Sequence, residues 1–124
     1  MRSRATCSLA ARGVSNLFWV FQSRSLVPYL KLYHALSLLA CCDDEENKTA
    51  YLEEVGPLQN TMALWAANAP QNFAHKWHLI EAERQRVLGD TVLAGEHFDR
   101  AIAGARRNGY LNDEALANDL AGKF

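Results

Sequence analysis

The chain has 124 residues, 49% of them apolar and 22% charged, with a formal net charge of −1; this suits one modest core and excludes disorder, a fibrous repeat or two independent domains. The charge is unevenly spread, with five Lys or Arg and no acid in residues 1–42, then eight Lys or Arg against fourteen Asp or Glu in residues 43–124. Because the acidic body scatters its basic residues, it lacks the clustered charge that duplex nucleic acid requires.

Residues 1–25 read as a basic, poorly defined N-terminal segment. Its Arg-rich, Ser-containing, acid-free composition fits an organellar transit peptide, mitochondrial or plastid, as the minor alternative to the plainer reading, a frayed N-terminus or a start within a longer reading frame. The longest apolar runs, "LFWVF" at 17–21 and "LSLLACC" at 36–42, fall well short of the roughly 20 residues that cross a bilayer, so no membrane is expected. Cys7, Cys41 and Cys42 show no CxxC spacing. This suggests neither a disulfide framework nor a zinc site, and it points to a reducing, cytoplasmic location.

Helical period begins at Leu26, and residues 26–124 read as one helical domain. Tyr29, Leu32, Leu36 and Leu39 step by three, four and three, which marks one helix face, widened by Leu30 and Tyr33. Pro28 suits its first turn. The acids 43–46 fit a solvated connector leading into the positive end of the next helix. Tyr51, Val55, Leu58, Met62 and Trp65 carry that second helix to about Asn68, and Gly56-Pro57 within it predicts a kink or break.

"NAPQN", 68–72, reads as a turn, and a third helix follows from Phe73 to Val87, closing at Gly89. Asp90 caps a fourth helix with Ala94, Phe98, Ala101 and Ala105 on one face and Glu96 and Arg100 paired one turn apart. Asn108-Gly109 ends it, and Asn112 is expected to cap a fifth whose first turn holds Asp113 and Glu114. Alternating strands with hairpin turns are absent from the pattern. The expected architecture is all-α, in antiparallel helical hairpins.

"LIEAERQRVLGDTVLAGEHFDRAI" resembles a tetratricopeptide repeat (TPR), with Ala82, Gly89, Ala94, Phe98 and Ala101 at its small, turn-glycine, small, aromatic and small positions. Small residues let two helices approach, the aromatic fills the gap between hairpins, and the glycine makes the turn. The early aromatic of the first repeat helix and the proline near residue 106 are missing. More broadly, "YHALSLLA", "LWAANAPQNFAHKWHLIEAERQRVLG" and "FDRAIAGARRNGYLNDEALANDLAGKF" resemble the helical linker of large multi-domain signalling proteins. Those proteins join a serine/threonine-kinase-like module, an AAA-type ATPase, GAF or PAS sensors and a histidine kinase.

The resemblance implies a TPR-like α-solenoid fragment whose partners are adjacent modules or another protein. It does not extend to Gly56-Pro57 or to residues 1–25. It implies no catalytic, cofactor or metal residue in this chain, which has no phosphate-binding Gly-rich loop ending in Lys-Ser or Lys-Thr, no kinase catalytic loop and no hydrolase triad context.

The chemical alternative is a small metal-dependent enzyme centred on His75, His78 and Glu81, which share one helix face. Against it stand the absence of HEXXH spacing and the frequency of such residues on solvated helices. His34 and His97 read as hydrogen-bonded packing residues, and Trp19, Trp65 and Trp77 as packing aromatics. In the last helix Leu116, Leu120 and Phe124 recur every fourth residue, a stripe suited to a following helix or to self-association.

Overall fold

The computed structural model describes residues 26–42 and 45–124. The basic segment 1–25 lies outside the described residues, and Cys7 and Trp19 lie there with it. Five helices follow in order: α1 (Val27–Ala40), α2 (Glu45–Asn68), α3 (Pro70–Leu88), α4 (Thr91–Arg107) and α5 (Leu111–Lys123). Among the described residues there is no strand, and no helix is long and apolar enough to cross a membrane. The chain divides into two compact units between Leu58 and Gln59.

In the first unit, α1 starts with proline in its first turn and buries Leu32, Ala35, Leu38 and Leu39, and Cys42 just beyond its end is buried too. This face is rotated from the expected one. Ala35 takes a central place, Leu36 is only half-buried, and Tyr33, expected to widen the buried surface, is exposed and stacks on Tyr29 at 6.3 Å. Cys42 behaves as the sequence suggests, as a small buried side chain whose Sγ donates to the Leu38 carbonyl at 3.3 Å. Burial holds the His34 imidazole below its ordinary pKa against the opposing pull of Glu54.

Helix α2 runs unbroken through Pro57, so the expected break is absent. Val55 and Met62 of its predicted apolar stripe are fully buried, whereas Tyr51, Leu58 and Trp65 are half-buried.

The second unit is built on α3. "NAPQN" is not a turn: Ala69 alone separates α2 from α3, and Pro70 opens α3. Proline is pre-organised for a first helical position and loses no hydrogen bond there. At the other end Gly89 adopts φ 90°, a left-handed conformation that glycine reaches without the strain a Cβ would bring. Its N–H and that of Asp90 close back onto Arg86 and Gln85 carbonyls. Asp90 caps α4 as expected, accepting from the Leu93 amide at 3.0 Å.

After Asn108 and Gly109 (φ 79°) the chain turns into α5 two residues earlier than Asn112 suggested, with Tyr110 at the cap position and no side-chain cap. Helix α4 runs antiparallel to α3, since His78 meets His97 while His75 meets Gly104. Helix α5 runs parallel to α3: Asn72 bonds Tyr110 and His75 bonds Asp113, both 38 residues apart.

The core of this unit is small and close-set. Ala82, Ala94, Ala101, Ala105 and Ala117 are all buried, with Phe98, Leu79 and Ile80 supplying bulk. Phe98 packs on Phe124 at 5.5 Å between ring centroids. The buried face of α5 centres on Asp113 and Ala117. Leu116 and Leu120 are half-buried and Phe124 is 46% exposed.

Candidate functional site

The polar groups of the second unit gather along α3, and helical spacing explains why. Lys76 lies three residues after Phe73 and four before Ile80, so it falls on the inward face despite its charge. His75 and Lys76 are only 3% and 2% exposed. From α5, Asp113, 2% exposed, reaches between them. Its Oδ2 lies 2.7 Å from His75 Nε2 and accepts from Lys76 Nζ at 2.8 Å.

A 2.7 Å contact between two acceptors needs a proton, and beside an ionised carboxylate that proton is the imidazole Nε2–H. Burial alone would raise the Asp113 pKa, but hydrogen bonds from His75 and Lys76 and the Lys76 charge hold it below the ordinary carboxylate value. Tyr110 closes the cluster. Its ring lies under the Lys76 ammonium at 4.3 Å and beside His75 at 4.6 Å, and its hydroxyl donates to Asn72 Oδ1 at 2.7 Å.

The sequence reading of His75 as a solvated helix residue is thus corrected: an acid on another helix pulls it inward. Asp113, read as a first-turn acid facing the helix dipole, is a buried counter-ion. The signal that could have found the pair was Lys76 itself, a cation at a core position, which requires a buried acid.

One turn along α3, His78 turns the other way. Its Nδ1 meets Nδ1 of His97 on α4 at 3.0 Å, the rings stack at 5.2 Å, and Trp77 sets its edge against both. One ring must donate and the other accept. Burial, followed by the neighbouring His97 and Arg100, pushes the His78 pKa down to about 4. His97 is therefore the hydrogen-bonded packing residue expected, with a partner the sequence did not reveal.

Glu81 belongs to a third network. It accepts from Gln59 of α2 at 3.0 Å and from Gln85 at 2.8 Å, with Arg84 at 3.5 Å. Those hydrogen bonds hold its pKa low although burial opposes them. The three residues of the metal alternative, His75, His78 and Glu81, thus go to three different partners, and no group of three metal-ligating side chains gathers among the described residues.

Between α3 and the C-terminal half of α4 lies a cleft of about 320 Å³, whose polar lining is Gln71, His75, His78, Arg100, Arg107 and Asn108. Its floor depends on Gly104: a Cβ there would stand 3.1 Å from His75 Cβ, so glycine lets the two helices close to this distance. Arg100 is not paired with Glu96, as the sequence spacing suggested; it faces the cleft. Of the predicted repeat-packing positions, Ala82, Ala94, Phe98 and Ala101 are buried in the α3–α4 hairpin and Gly89 makes its turn. Comparison with protein-family models, with curated proteins and with solved structures finds no match.

Proposed function

We propose that this chain is a non-catalytic helical-repeat segment that holds neighbouring modules together or offers a surface to a protein partner. The observation that carries this reading is the common 38-residue displacement between α3 and α5. A helix, an antiparallel return and a third helix parallel to the first make the unit from which α-solenoids are stacked. The displacement lies between the 34 residues of a TPR and the roughly 40–47 of longer helical repeats. The buried small residues Ala82, Ala94 and Ala101 around Phe98 support a TPR-like hairpin.

The resemblance of residues 26–124 to the helical linker of multi-domain ATPase and histidine-kinase proteins favours a place in signal transduction. Scaffolding fits the histidines as well, since His75 joins α3 to α5 and His78 joins α3 to α4.

The contact surface in this reading is the stripe Leu116, Leu120 and Phe124, apolar and incompletely covered. Sedimentation of the purified chain over a wide concentration range tests it. Self-association that is abolished by Leu116→Glu with Leu120→Glu, at unchanged helix content, is the expected result. A strict monomer in which the same substitutions cost as much stability as core changes would show the stripe to be interior, and this contact surface would be withdrawn.

A further inference from the structure

We propose that the α3–α4 cleft is a binding site for a phosphomonoester group. Its lining carries two arginines and two histidines and no carboxylate. Arg100 and Arg107 stand two turns apart on one face of α4 and converge on the cleft. Among the described residues neither enters an ion pair, although Arg106 between them pairs with Glu114 at 3.3 Å and Glu96 lies one turn from Arg100. Guanidinium forks left without an acid match phosphate oxygens in both charge and geometry.

Helix α3 adds to the same field. Pro70 and Gln71 of its first turn border the cleft, and although the Asn72 and Phe73 amides are taken by the Ala69 carbonyl, no side chain caps this end of the helix. The positive end of the helix dipole is therefore open toward an anion.

The independent observation is His75. Its side chain is 2% exposed, it lines the cleft, and Nδ1 is buried with no hydrogen-bond partner. With the ring in its neutral form and Nε2–H donated to Asp113, Nδ1 is an acceptor in want of a donor, and leaving such an atom buried and unmet is unfavourable. The occupant must therefore bring negative oxygens for Arg100 and Arg107 and an O–H for His75. A phosphomonoester, whose second ionisation falls near pH 6, offers both in its monoanionic form. An ionised carboxylate or a sulfate ester has no O–H to give. A volume of about 320 Å³ sits at the small end of ligand clefts, suited to a head group rather than a large cofactor.

The test is a titration of the full chain with phenyl phosphate, followed through the imidazole ¹⁵N resonances of His75, with phenyl sulfate and acetate at matched ionic strength as controls. The expected result is saturable binding that moves His75 Nδ1. Binding should weaken about tenfold on Arg100→Gln and again on Arg107→Gln, as loss of a charge-assisted bond implies. Both arginines are exposed, so the far-UV spectrum should not change. Parallel titrations with glycerol 3-phosphate and a phosphoserine peptide separate a small-molecule source from a protein-borne one, and tighter binding by either identifies it. Non-saturating shifts, equal shifts with phenyl sulfate or acetate, or undiminished binding in the double variant would each overturn the assignment.

Discussion

The two seams that α3 makes, one with α4 and one with α5, are built on opposite principles. Against α4 the contact is mostly one of shape: Ala82, Ala94, Ala101 and Ala105 let the helices close, and Phe98 fills what the alanines leave. Against α5 it is one of charge, with Asp113 held between His75 and Lys76, all three almost wholly out of water. The difference teaches where specificity resides. Apolar packing tolerates some sliding, whereas a buried carboxylate has one favourable position, so the ion cluster is what fixes the parallel register of α5. Polar groups kept for register rather than net stability are well attested in helical assemblies.

Deleting one partner of the charged seam should have the largest effect. Asp113→Ala strands the Lys76 ammonium without its carboxylate, and breaking a buried pair typically costs about 3–5 kcal/mol; urea denaturation of the variant measures it. Phe98→Ala should cost a similar amount, about 3–5 kcal/mol, through the cavity it leaves. The seams are told apart by repair. Replacing both charges, Lys76→Met with Asp113→Leu, should restore part of the loss, because an apolar pair of similar volume is often neutral or better, while the buried His75 N–H still lacks its acceptor. No such partner change rescues Phe98→Ala. If the double replacement is no more stable than Asp113→Ala, the charge account of the α5 seam is wrong.

Much of this contrast could be read from the chain alone, and the unread part has a common cause. The helices, the αL glycine at 89, the Asp90 cap and the small residues around Phe98 all follow from local spacing or conformational preference. The α5 seam does not, because it joins residues 38 apart in sequence through a charge pair that periodicity treats as solvated. The start of α3 departs from the local pattern for a different reason: Pro70 and Asn72 are strong turn formers, yet proline is equally at home in a first helical turn. The cleft was hidden because Arg100 has an acid one turn away, and only packing decides whether the two side chains meet.

A smaller effect is expected at the floor of the cleft. Gly104→Ala places a methyl 3.1 Å from His75 Cβ. The gain in helix propensity is then opposed by overpacking of the kind that costs about 1–3 kcal/mol, and thermal melts should show net destabilisation. A gain in stability would mean that the seam is looser than described.

The gentlest probe is pH. His78 is pushed down to about 4, below the ordinary histidine value near 6.5, so the unfolded chain takes up a proton at this site before the folded one does. Its contribution to stability is fully present above pH 6.5 and is lost as the pH falls toward 4. Asp113, also held low, begins to lose its contribution as the pH falls through the ordinary carboxylate value and loses the rest below it. Denaturant midpoints collected between pH 7.5 and 4.5 should fall in the wild type and fall less steeply in His78→Gln, the slope that remains including His34, which burial also holds low. A slope unchanged in that variant would assign the titration to another group.

The register claim is tested most directly by native-state hydrogen exchange on wild type and Asp113→Asn, read amide by amide in α4 and α5. The account predicts that wild-type α5 is protected through the turn holding Asp113 and Ala117, and that Asp113→Asn strips protection from α5 while leaving the α4 amides around Phe98 close to their wild-type rates. Protection lost equally from both helices, or retained in α5, would contradict the claim that the buried ion cluster is what holds α5 to α3.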